Sequence, residues 1–519
     1  MEWSQSTHIH ISVDDDNPSD SAYPGRPNRC KAIAVDVVDC RHTAPSASGY
    51  NELVWIIITL CLVVISACSP LPSAPTEPKN LVILSIDTLR VDHLGFHGYR
   101  RPTSPHLDRF AQSSVVFDQA VTVHVATAPA HGTVLTGEYP AGHGIQRNGM
   151  TLKPGIPTLA GVFAESGLAT GAFVSGWTLQ RHTGLGRGFE TYDDDLGPPR
   201  NGARREGSQT TTAAVDWLEE QVAAQKNFFL FVHLFEPHWP YDPPARDALR
   251  FLPGVYELTT VSKPVHLDRL LSVNRLSPAE QQEYVARYDG EIVVADRLAD
   301  RLFRALERLG VAHNTVVIVL SDHGETLFER EWTMDHGTRP YEEQARVPLV
   351  LHIPGDPFAG HRVPDQVSLV DVVPTALEIF GLESVRGLPG RSLLPLIRGE
   401  RTDEQPHPAF ITARAEPRRV PHIKASLLNR GLVRAIRLPE IKLIEYPVTG
   451  GRRQPELFNL IDDPGEQDNR SGENFKIVVG LHGELEEWQS ATGQAPEPGT
   501  RELDPEVEEA LRELGYIDD

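Results

Sequence analysis

The chain has 519 residues, of which 40% are hydrophobic, so it is long enough to bury a large core and to form two or more domains. Its formal net charge of −22 argues against a nucleic-acid-binding protein, because such proteins need clustered Lys and Arg to displace counterions from phosphates. The four cysteines all lie at or before residue 68, which excludes a disulfide, a thiol nucleophile or a sulfur-ligated metal from the rest of the chain.

The N-terminal region has the composition of a targeting segment and a tether. Residues 1–50 lack hydrophobic periodicity and carry an acidic run, which predicts a disordered extension. The uncharged apolar run from Leu53 to Cys68 is shorter than the roughly 20 residues of a membrane span. Residues 51–68 resemble a bacterial lipoprotein signal in which Cys68 is lipidated, and the alternative is an uncleaved membrane anchor. Both interpretations predict an exported protein anchored to a membrane of the bacterial cell envelope, with residues 69–79 as a linker.

From residue 80 onward, apolar runs alternate with helical patterns. The runs are continuous, which is typical of strands that are covered on both faces in a mostly parallel sheet. The five clearest runs are Leu81–Ile86, Gly171–Ser175, Phe228–His233, Thr315–Ser321 and Val347–Ile353. The pattern predicts an α/β fold with a mostly parallel central sheet flanked by helices.

The longest predicted helix begins at Ser277. The sequence SPAE supplies a capping serine, a proline in the first turn and Glu280 three residues on, and the helix is predicted to run in one or two pieces to Leu309, before Gly310. After residue 400 the strand pattern weakens while proline and charge become more frequent. We therefore predict a main domain over residues 80–400 and a smaller α+β domain over residues 401–519.

Two of the predicted strands end in residue types that bind metals. Asp87 follows the first strand, and Asp322 and His323 follow the strand of residues 315–321. In open α/β sheets ligands collect beyond the carboxyl ends of the strands, and two carboxylates brought together there need a cation to neutralise them. A single aspartate after a strand is usually a cap, but capping does not require an imidazole. The sequence therefore predicts a metal site.

Thr127 precedes a helix that has Pro129 in its first turn, in the segment ATAPAHGTVLTG. A threonine in this position is ordinarily a helix cap. A helix N-terminus also provides oriented N–H groups and a positive dipole end, which suit a tetrahedral anion such as sulfate or phosphate. A hydroxyl is a weak nucleophile at neutral pH, and a divalent ion at the predicted site would activate it. A cap and a nucleophile are both compatible with the residues alone.

Several ordered motifs resemble those of the sulfatase family of the alkaline phosphatase superfamily. They cover roughly residues 80–400, and ELFNLIDDPGEQDN at Glu456–Asn469 resembles the C-terminal signature of the same family. The motifs of the main region include NLVILSIDTLRVDHLGFHGYRRPTSPHLDRFA, TAPAHGTVLTGEYPAGHGI, FFLFVHLFEPHWPYDPP, VVIVLSDHGETLFE and YEEQARVPLVLHIPG. The resemblance implies an alkaline phosphatase-like fold and a hydrolase of sulfuric esters or of related phosphate and phosphonate esters.

The motif that carries the family's nucleophile departs from the usual pattern. In sulfatases a cysteine or serine in C/S-x-P-S-R is converted to formylglycine, whereas here Thr127 takes that position and His131 takes the position of the arginine. Because position 127 is neither cysteine nor serine, and no cysteine follows residue 68, formylglycine cannot form. Thr127 instead resembles the threonine nucleophile of related branches that act on phosphorus esters, and its in-line attack would give a covalent phospho- or sulfo-threonine.

The resemblance also implies the metal ligands. Asp87, Asp322 and His323 would bind a single divalent ion, with the Thr127 hydroxyl completing the shell. Ca²⁺ is the expected ion by resemblance, and Mn²⁺, Mg²⁺ or Zn²⁺ are alternatives. Many sulfatases have a second aspartate where this chain has Thr88, so a less highly charged shell is expected.

Three histidines are predicted to act in catalysis with Thr127. His238, in EPHWPY, resembles a substrate-contacting histidine that binds an ester oxygen or protonates the leaving group, and the alternative is a histidine held in a proline-rich turn. His131 lies one helical turn from Thr127, so it is predicted to face the same pocket as a base or anion contact. His336, in MDHGTRPYEE, matches another family position near the substrate.

Two other functions fit the same residues. A transferase that moves a phospho-alcohol onto an envelope lipid or glycan would use a similar site, but such enzymes usually carry several membrane spans, and this chain has a single apolar run. A catalytically silent binding protein would keep the fold without the chemistry, although the metal-binding residues argue against it. The predicted partners are a small-molecule, glycan or lipid ester and the membrane, and not nucleic acid.

Overall fold

A computed structural model of the chain describes residues 78–197, 204–252, 276–330, 336–383, 385–400, 407–415, 431–447 and 455–493. The predicted extension, the signal or anchor with Cys68, and the linker up to residue 77 lie outside the described residues. Within the described ranges, no helix combines the length and the apolar character that a membrane crossing requires.

A large sheet forms the centre of the molecule. Its strands are β1 (Asn80–Ile86), β2 (Val115–Val121), β3 (Ala169–Phe173), β4 (Thr191–Asp193), β5 (Phe228–Leu234), β6 (Thr315–Leu320), β7 (Leu349–His352) and β8 (Arg362–Ser368). They lie in the order β4-β3-β5-β1-β6-β7-β2-β8. Neighbours are parallel except for β7, which is antiparallel to both β6 and β2. The predicted mostly parallel sheet is confirmed.

Helices cover both faces of this sheet. They are α1 (Pro105–Gln112), α2 (Thr127–Thr136), α3 (Pro140–His143), α4 (Leu159–Glu165), α5 (Gly207–Ala223), α6 (Ala245–Leu249), α7 (Pro278–Arg308), α8 (Glu342–Ala345), α9 (Val372–Ile379) and α10 (Leu394–Ile397). Short 3-10 helices occur at Val91–His93, Gly95–His97, Trp177–Leu179, Arg181–Thr183, Ala312–Asn314 and Leu369–Asp371. Alternate residues of β1 pack into different layers: Leu81 and Ile83 join the core under α4 and α9, and Val82 and Leu84 join the core under α5 and α7.

The long helix α7 begins as the sequence predicts. Ser277 is its N-cap and Pro278 its first residue, and the helix is continuous to Arg308. The Ser277 hydroxyl accepts a hydrogen bond from the Glu280 N–H at 3.3 Å, and the Glu280 carboxylate accepts one from the Ser277 N–H at 2.7 Å. This reciprocal pair satisfies two N–H groups that an uncapped helix would leave without a partner.

A second, smaller sheet follows the first one in the chain. Its antiparallel strands are β9 (Ala409–Ala415), β10 (Gly431–Arg437), β11 (Ile441–Glu445) and β12 (Glu456–Asn459), in the order β12-β11-β10-β9. Helix α11 (Phe475–Thr492) packs Leu481 and Leu485 onto this sheet. The Thr412 N–H donates to the Val123 carbonyl at 2.9 Å and so joins β9 to the chain after β2. The predicted α+β character is confirmed, and the boundary at residue 400 stays a prediction.

Candidate metal-dependent active site

The carboxyl ends of β1 and β6 bring Asp87, Asp322 and His323 together. The two strands are parallel neighbours in register, so the residues that follow them emerge at the same edge of the sheet. All three side chains are fully buried, and one ligand atom from each lies within 4.8 Å of the others. The Nε2 atom of His323 is 3.4 Å from Asp322 Oδ2 and 3.9 Å from Asp87 Oδ1.

One oxygen of each carboxylate is held by the protein and the other is not. His233 Nε2 lies 3.2 Å from Asp87 Oδ2. The backbone N–H groups of Thr88 and His323 donate to Asp322 Oδ1 at 3.2 and 2.9 Å. Asp87 Oδ1 and Asp322 Oδ2 have no hydrogen-bond partner among the described residues. Because a buried carboxylate oxygen without a partner is costly, two of them beside one imidazole nitrogen fit a cation.

The electrostatics of the two carboxylates differ. Burial and the neighbouring Asp322 raise the pKa of Asp87 well above its usual range. Burial would also raise the pKa of Asp322, but the imidazoles of His323, His131 and His233 outweigh burial and lower it. Burial would lower the pKa of His323, yet the two carboxylates outweigh burial and raise it. The site therefore stabilises positive charge at its centre.

The orientation of His323 is fixed by its other ring nitrogen. Nδ1 lies 2.9 Å from the carbonyl oxygen of Gly324. Since a carbonyl oxygen only accepts hydrogen bonds, Nδ1 carries a proton, and Nε2 is the ring nitrogen that faces the two carboxylates and is available to a cation. This is the arrangement of a metal-binding histidine, whose second nitrogen is commonly bound to a backbone carbonyl.

Thr127 is the first residue of α2, and its hydroxyl is directed at the same site. Thr127 Oγ1 lies 3.3 Å from His323 Nε2, and the side chain is fully buried. The N-cap position is taken by Ala126, and the N–H of Ala128 is satisfied by the Asn148 side chain at 2.9 Å. The Thr127 hydroxyl therefore does not act as a helix cap.

His131 lies on α2 one turn after Thr127, and both of its ring nitrogens have partners. Nδ1 is 2.8 Å from the Thr127 carbonyl oxygen, and Nε2 is 2.8 Å from Ser85 Oγ. The ring is fully buried and lies 3.6 Å from Asp322 Oδ2. Burial lowers the pKa of His131 to about 4, so the ring is neutral at neutral pH. The contacts make His131 a support of Thr127 and Asp322.

His336 and His238 form the other wall of the site. The ring centroids of His323 and His336 are 4.7 Å apart, and those of His336 and His238 are 4.8 Å apart. Nδ1 of His336 is 3.0 Å from Glu325 Oε1. Burial lowers the pKa of His238 well below its usual value, and the neighbouring His336 imidazole lowers it further. The structure thus brings all seven residues predicted for the site into one cluster.

Thr88 occupies the position of the family's second aspartate. It has a positive φ of 54°, an unusual conformation for a β-branched residue that costs about 1–3 kcal/mol. Its carbonyl oxygen accepts from the Tyr288 hydroxyl at 2.7 Å, and its N–H donates to Asp322. Thr88 Oγ1 is buried and has no hydrogen-bond partner among the described residues. The strain serves to place the backbone of Thr88 against Asp322.

Sequence reasoning missed four residues that support the site: Ser85, Asn148, His233 and Glu325. The signal for His233 was present, because it is the one ionisable residue in an otherwise apolar buried strand, FFLFVHL. A buried polar side chain near the carboxyl end of such a strand requires a partner, and that partner is Asp87. Ser85 is likewise a polar residue within the apolar strand β1. No local pattern marks Asn148.

Comparison with the sequence profiles of known protein families identifies the family of this chain. The sulfatase family profile matches residues 79–382, and that of the C-terminal region of N-sulphoglucosamine sulphohydrolase matches residues 331–491. The chain belongs to the sulfatase family. This sulfatase-family chain departs from the common motif at the nucleophile position, where it has Thr127.

Curated relatives of this sulfatase-family chain are distant in sequence. The ulvan-active sulfatase of Formosa agariphila is 25% identical over 347 residues, which cover 62% of this chain and 66% of the relative. An N-acetylglucosamine-6-O-sulfatase of Bacteroides thetaiotaomicron is 21% identical and covers 71% of this chain and 78% of the relative. Human arylsulfatase K is 30% identical over 304 residues, 53% of this chain and 54% of the relative. The chain therefore matches between about half and three quarters of the length of these relatives.

Solved structures confirm the fold. The phosphonate monoester hydrolase of Agrobacterium radiobacter has a TM-score of 0.63 at 21% identity and covers 80% of this chain and 96% of its own. A structure in complex with D-glucosamine-2-N,6-O-disulfate has a TM-score of 0.66 at 20% identity and covers 80% of this chain and 98% of its own. The predicted alkaline phosphatase-like fold is confirmed.

Proposed function

We propose that the protein is a metal-dependent hydrolase of sulfuric esters, or of related phosphate and phosphonate esters, and that Thr127 is its nucleophile. One observation carries the proposal: Thr127 Oγ1 lies 3.3 Å from His323 Nε2, beside the two carboxylate oxygens that lack a partner. A hydroxyl held there is fully buried and is not used as a cap. Membership of the sulfatase family supports the ester hydrolase class.

The donor set fits a divalent cation. Asp87 Oδ1, Asp322 Oδ2 and His323 Nε2 would supply three ligand atoms, and Thr127 Oγ1 would supply a fourth. Two carboxylates balance the charge of one divalent ion, which removes the repulsion that raises the pKa of Asp87. When bound, such an ion supplies Lewis-acid chemistry, lowering the pKa of a coordinated hydroxyl and stabilising negative charge on the ester oxygens.

Thr127 would open the reaction by in-line attack of its oxygen on sulfur or phosphorus. The new Oγ–S or Oγ–P bond forms as the bond to the leaving oxygen breaks, and the hydroxyl proton passes to water. The leaving oxygen takes up a proton and departs as an alcohol, and a water molecule then cleaves the sulfo- or phospho-threonine, which restores the Thr127 hydroxyl and releases the inorganic anion. The N-terminus of α2 contributes the positive end of its dipole, although the Ala128 N–H is already bound to Asn148.

Each of the three predicted histidines receives a role from its contacts. The ring of His336 lies between those of His323 and His238, at centroid distances of 4.7 and 4.8 Å, and we assign His238 and His336 to binding the ester or protonating the leaving oxygen. His336 is oriented by Glu325. His131 is assigned as a positioning residue, because Ser85 and the Thr127 carbonyl already engage both of its nitrogens.

The proposed substrate is an ester on a glycan, a lipid or a small molecule outside the cytoplasm. Two relatives are named for activity on ulvan and on N-acetylglucosamine 6-O-sulfate, which supports a sulfated glycan. Export and membrane anchoring are proposed from the apolar run that ends in Cys68. Replacing Cys68 with alanine should release the protein from the membrane fraction, and an unchanged distribution would contradict lipidation at that residue.

The decisive experiment assays the full chain against nitrophenyl sulfate, phosphate, phosphodiester and phosphonate esters with added Ca²⁺, Mg²⁺, Mn²⁺ or Zn²⁺. Thr127→Ala should lower kcat by about a thousandfold or more, and Thr127→Ser should retain part of it. Thr133→Ala is the matched control, since Thr133 is also buried on α2 but contacts His143, at 3.3 Å. Activity that survives Thr127→Ala would remove the nucleophile, and turnover of no ester would favour a binding protein.

A further inference from the structure

We infer that the site formed by Asp87, Asp322 and His323 selects a transition-metal ion, with Zn²⁺ as its representative, over the Ca²⁺ that the family resemblance suggests. The inference deepens the proposed function and rests on its metal site. Three features of the site support it: the kind of donor atom, the number of oxygen atoms that each carboxylate offers, and the spacing of the donors.

The site contains a nitrogen donor, the imidazole of His323. Nδ1–H of His323 is bound to the Gly324 carbonyl oxygen at 2.9 Å, so Nε2 is the nitrogen that would bind a cation. Ca²⁺ and Mg²⁺ take oxygen ligands, whereas imidazole nitrogen suits zinc and other first-row transition metals. A fixed imidazole donor between two carboxylates therefore favours a transition-metal ion over Ca²⁺.

Each of the two carboxylates of the site has only one oxygen without a protein partner among the described residues. Asp87 Oδ2 is engaged by His233 and Asp322 Oδ1 by two backbone N–H groups, so each carboxylate offers a single oxygen. Thr88 supplies a neutral hydroxyl rather than a third carboxylate. Ca²⁺ takes six to eight oxygen ligands, often including bidentate carboxylates, and its affinity depends on the number of charged ligands. Two monodentate carboxylates supply fewer oxygen ligands and fewer charges than a Ca²⁺ site ordinarily has.

The donor oxygens lie close to the nitrogen donor, His323 Nε2. His323 Nε2 is 3.3 Å from Thr127 Oγ1, 3.4 Å from Asp322 Oδ2 and 3.9 Å from Asp87 Oδ1. Four donors arranged tetrahedrally around zinc at bonds of about 2.0–2.2 Å lie about 3.3–3.6 Å apart. Two of the three distances fall in that range and the third is slightly wider. The distances from His323 Nε2 to the three oxygens thus favour a small ion with few ligands.

The test measures binding directly and does not depend on turnover. The metal-free full chain is equilibrated with equal Zn²⁺, Mn²⁺, Mg²⁺ and Ca²⁺, its metal content is determined by mass spectrometry, and Kd values are measured by competition calorimetry. We expect Zn²⁺ to bind about a hundredfold or more tightly than Ca²⁺. Co²⁺ should give the visible absorption of a nitrogen-containing site of low coordination number, which reports the His323 donor in the unmodified protein.

Two substitutions sharpen the result. His323→Asn replaces the nitrogen donor with an amide oxygen and should weaken Zn²⁺ binding at least tenfold while leaving Ca²⁺ binding nearly unchanged. Thr88→Asp adds a third carboxylate, and aspartate tolerates the positive φ of 54° better than threonine does. This variant should strengthen Ca²⁺ binding more than Zn²⁺ binding.

The outcomes separate this inference from the proposed function. Ca²⁺ binding as tight as Zn²⁺ binding, or Zn²⁺ binding that is indifferent to His323→Asn, would overturn the inference and leave the nucleophile untouched. A folded protein that binds none of the four ions would overturn both the inference and the metal dependence of the proposed function. Selective Zn²⁺ binding by a protein that hydrolyses no ester would uphold the inference and overturn the proposed function.

Discussion

Two buried clusters of charge differ in how their carboxylates are neutralised. In the metal site of Asp87, Asp322 and His323, neither carboxylate pairs with a lysine or arginine among the described residues. The second cluster, which we call the ionic cluster, consists of Glu342, Arg437, Lys442 and Glu466, and it joins α8 to the smaller sheet. There Lys442 Nζ lies 3.1 Å from Glu342 and 2.8 Å from Glu466, and Arg437 Nε lies 2.9 Å from Glu342.

The contrast shows two uses of the same residue types. The ionic cluster contains its own cations, so it is complete when the chain has folded. The proposed metal site has two carboxylate oxygens without partners among the described residues, so its neutralising charge comes from outside, as a bound cation or as protons. The ionic cluster stabilises the junction between the two sheets. The proposed metal site leaves two carboxylate oxygens available for a cation, at the cost of stability.

The largest expected effect is on activity, in the metal site. Asp87→Asn should lower metal-dependent turnover by about a thousandfold or more, because it removes a ligand and a charge. The metal-free variant should unfold at the same temperature as the metal-free wild type or above it, since burial and Asp322 raise the pKa of Asp87. Thermal unfolding with and without Zn²⁺ measures this. A large loss of stability in the metal-free variant would show that Asp87 stabilises the folded protein without a metal ion, as the carboxylates of the ionic cluster do, and would contradict the difference between the two clusters.

The next effect is on stability, in the ionic cluster. Lys442→Met should lower the free energy of unfolding by about 3 kcal/mol or more, because Lys442 is fully buried and is the nearest cation to Glu466, at 2.8 Å, whereas Arg330 lies 3.5 Å from Glu466. Urea unfolding measures this, with Lys476→Met, an exposed lysine on α11, as the control. A loss no larger than that of the control would show that the cluster contributes nothing.

The ionic cluster should also make stability depend on pH. Burial and the neighbouring Glu342 carboxylate raise the pKa of Glu466 from 4.5 to about 7, although Lys442 opposes them. The folded state then holds this proton more tightly than the unfolded state, so the contribution is complete below the ordinary pKa and is lost as pH rises through about 7. We expect Glu466→Gln to flatten the unfolding free energy between about pH 5 and pH 8, where the wild type should lose about 1 kcal/mol or more. Parallel profiles for the two proteins would exclude this role.

The smallest effect concerns the support behind Thr127. Ser85→Ala removes the partner of His131 Nε2 but keeps the bond from His131 to the Thr127 carbonyl oxygen. We expect kcat to fall about three- to tenfold with little change in KM, since Thr127, the proposed nucleophile, is held less firmly. Steady-state kinetics check this against Ser114→Ala, whose buried hydroxyl bonds to the Phe110 carbonyl. A change in KM alone would assign Ser85 to substrate binding.

The amino-acid sequence determined the fold class and the chemical groups of the site. Continuous apolar runs predict strands buried on both faces because burial selects residue types along each strand, and the capping box sets the start of α7 through contacts only three residues apart. The positions of Asp87, Asp322 and His323 after two strands also predict their meeting, since parallel strands end at one edge of a sheet. The threonine at position 127 alone excludes formylglycine.

Only the tertiary structure decided which atoms of those residues remain available. Thr127 meets His323 across 196 positions of sequence, and both ring nitrogens of His131 have partners, Ser85 and the Thr127 carbonyl oxygen. Which oxygen of Asp87 is bound depends on His233, 146 positions away. Local sequence fixes residue type and periodicity, but the partner of a side-chain atom depends on contacts between distant segments, and those contacts exist only once both segments have packed.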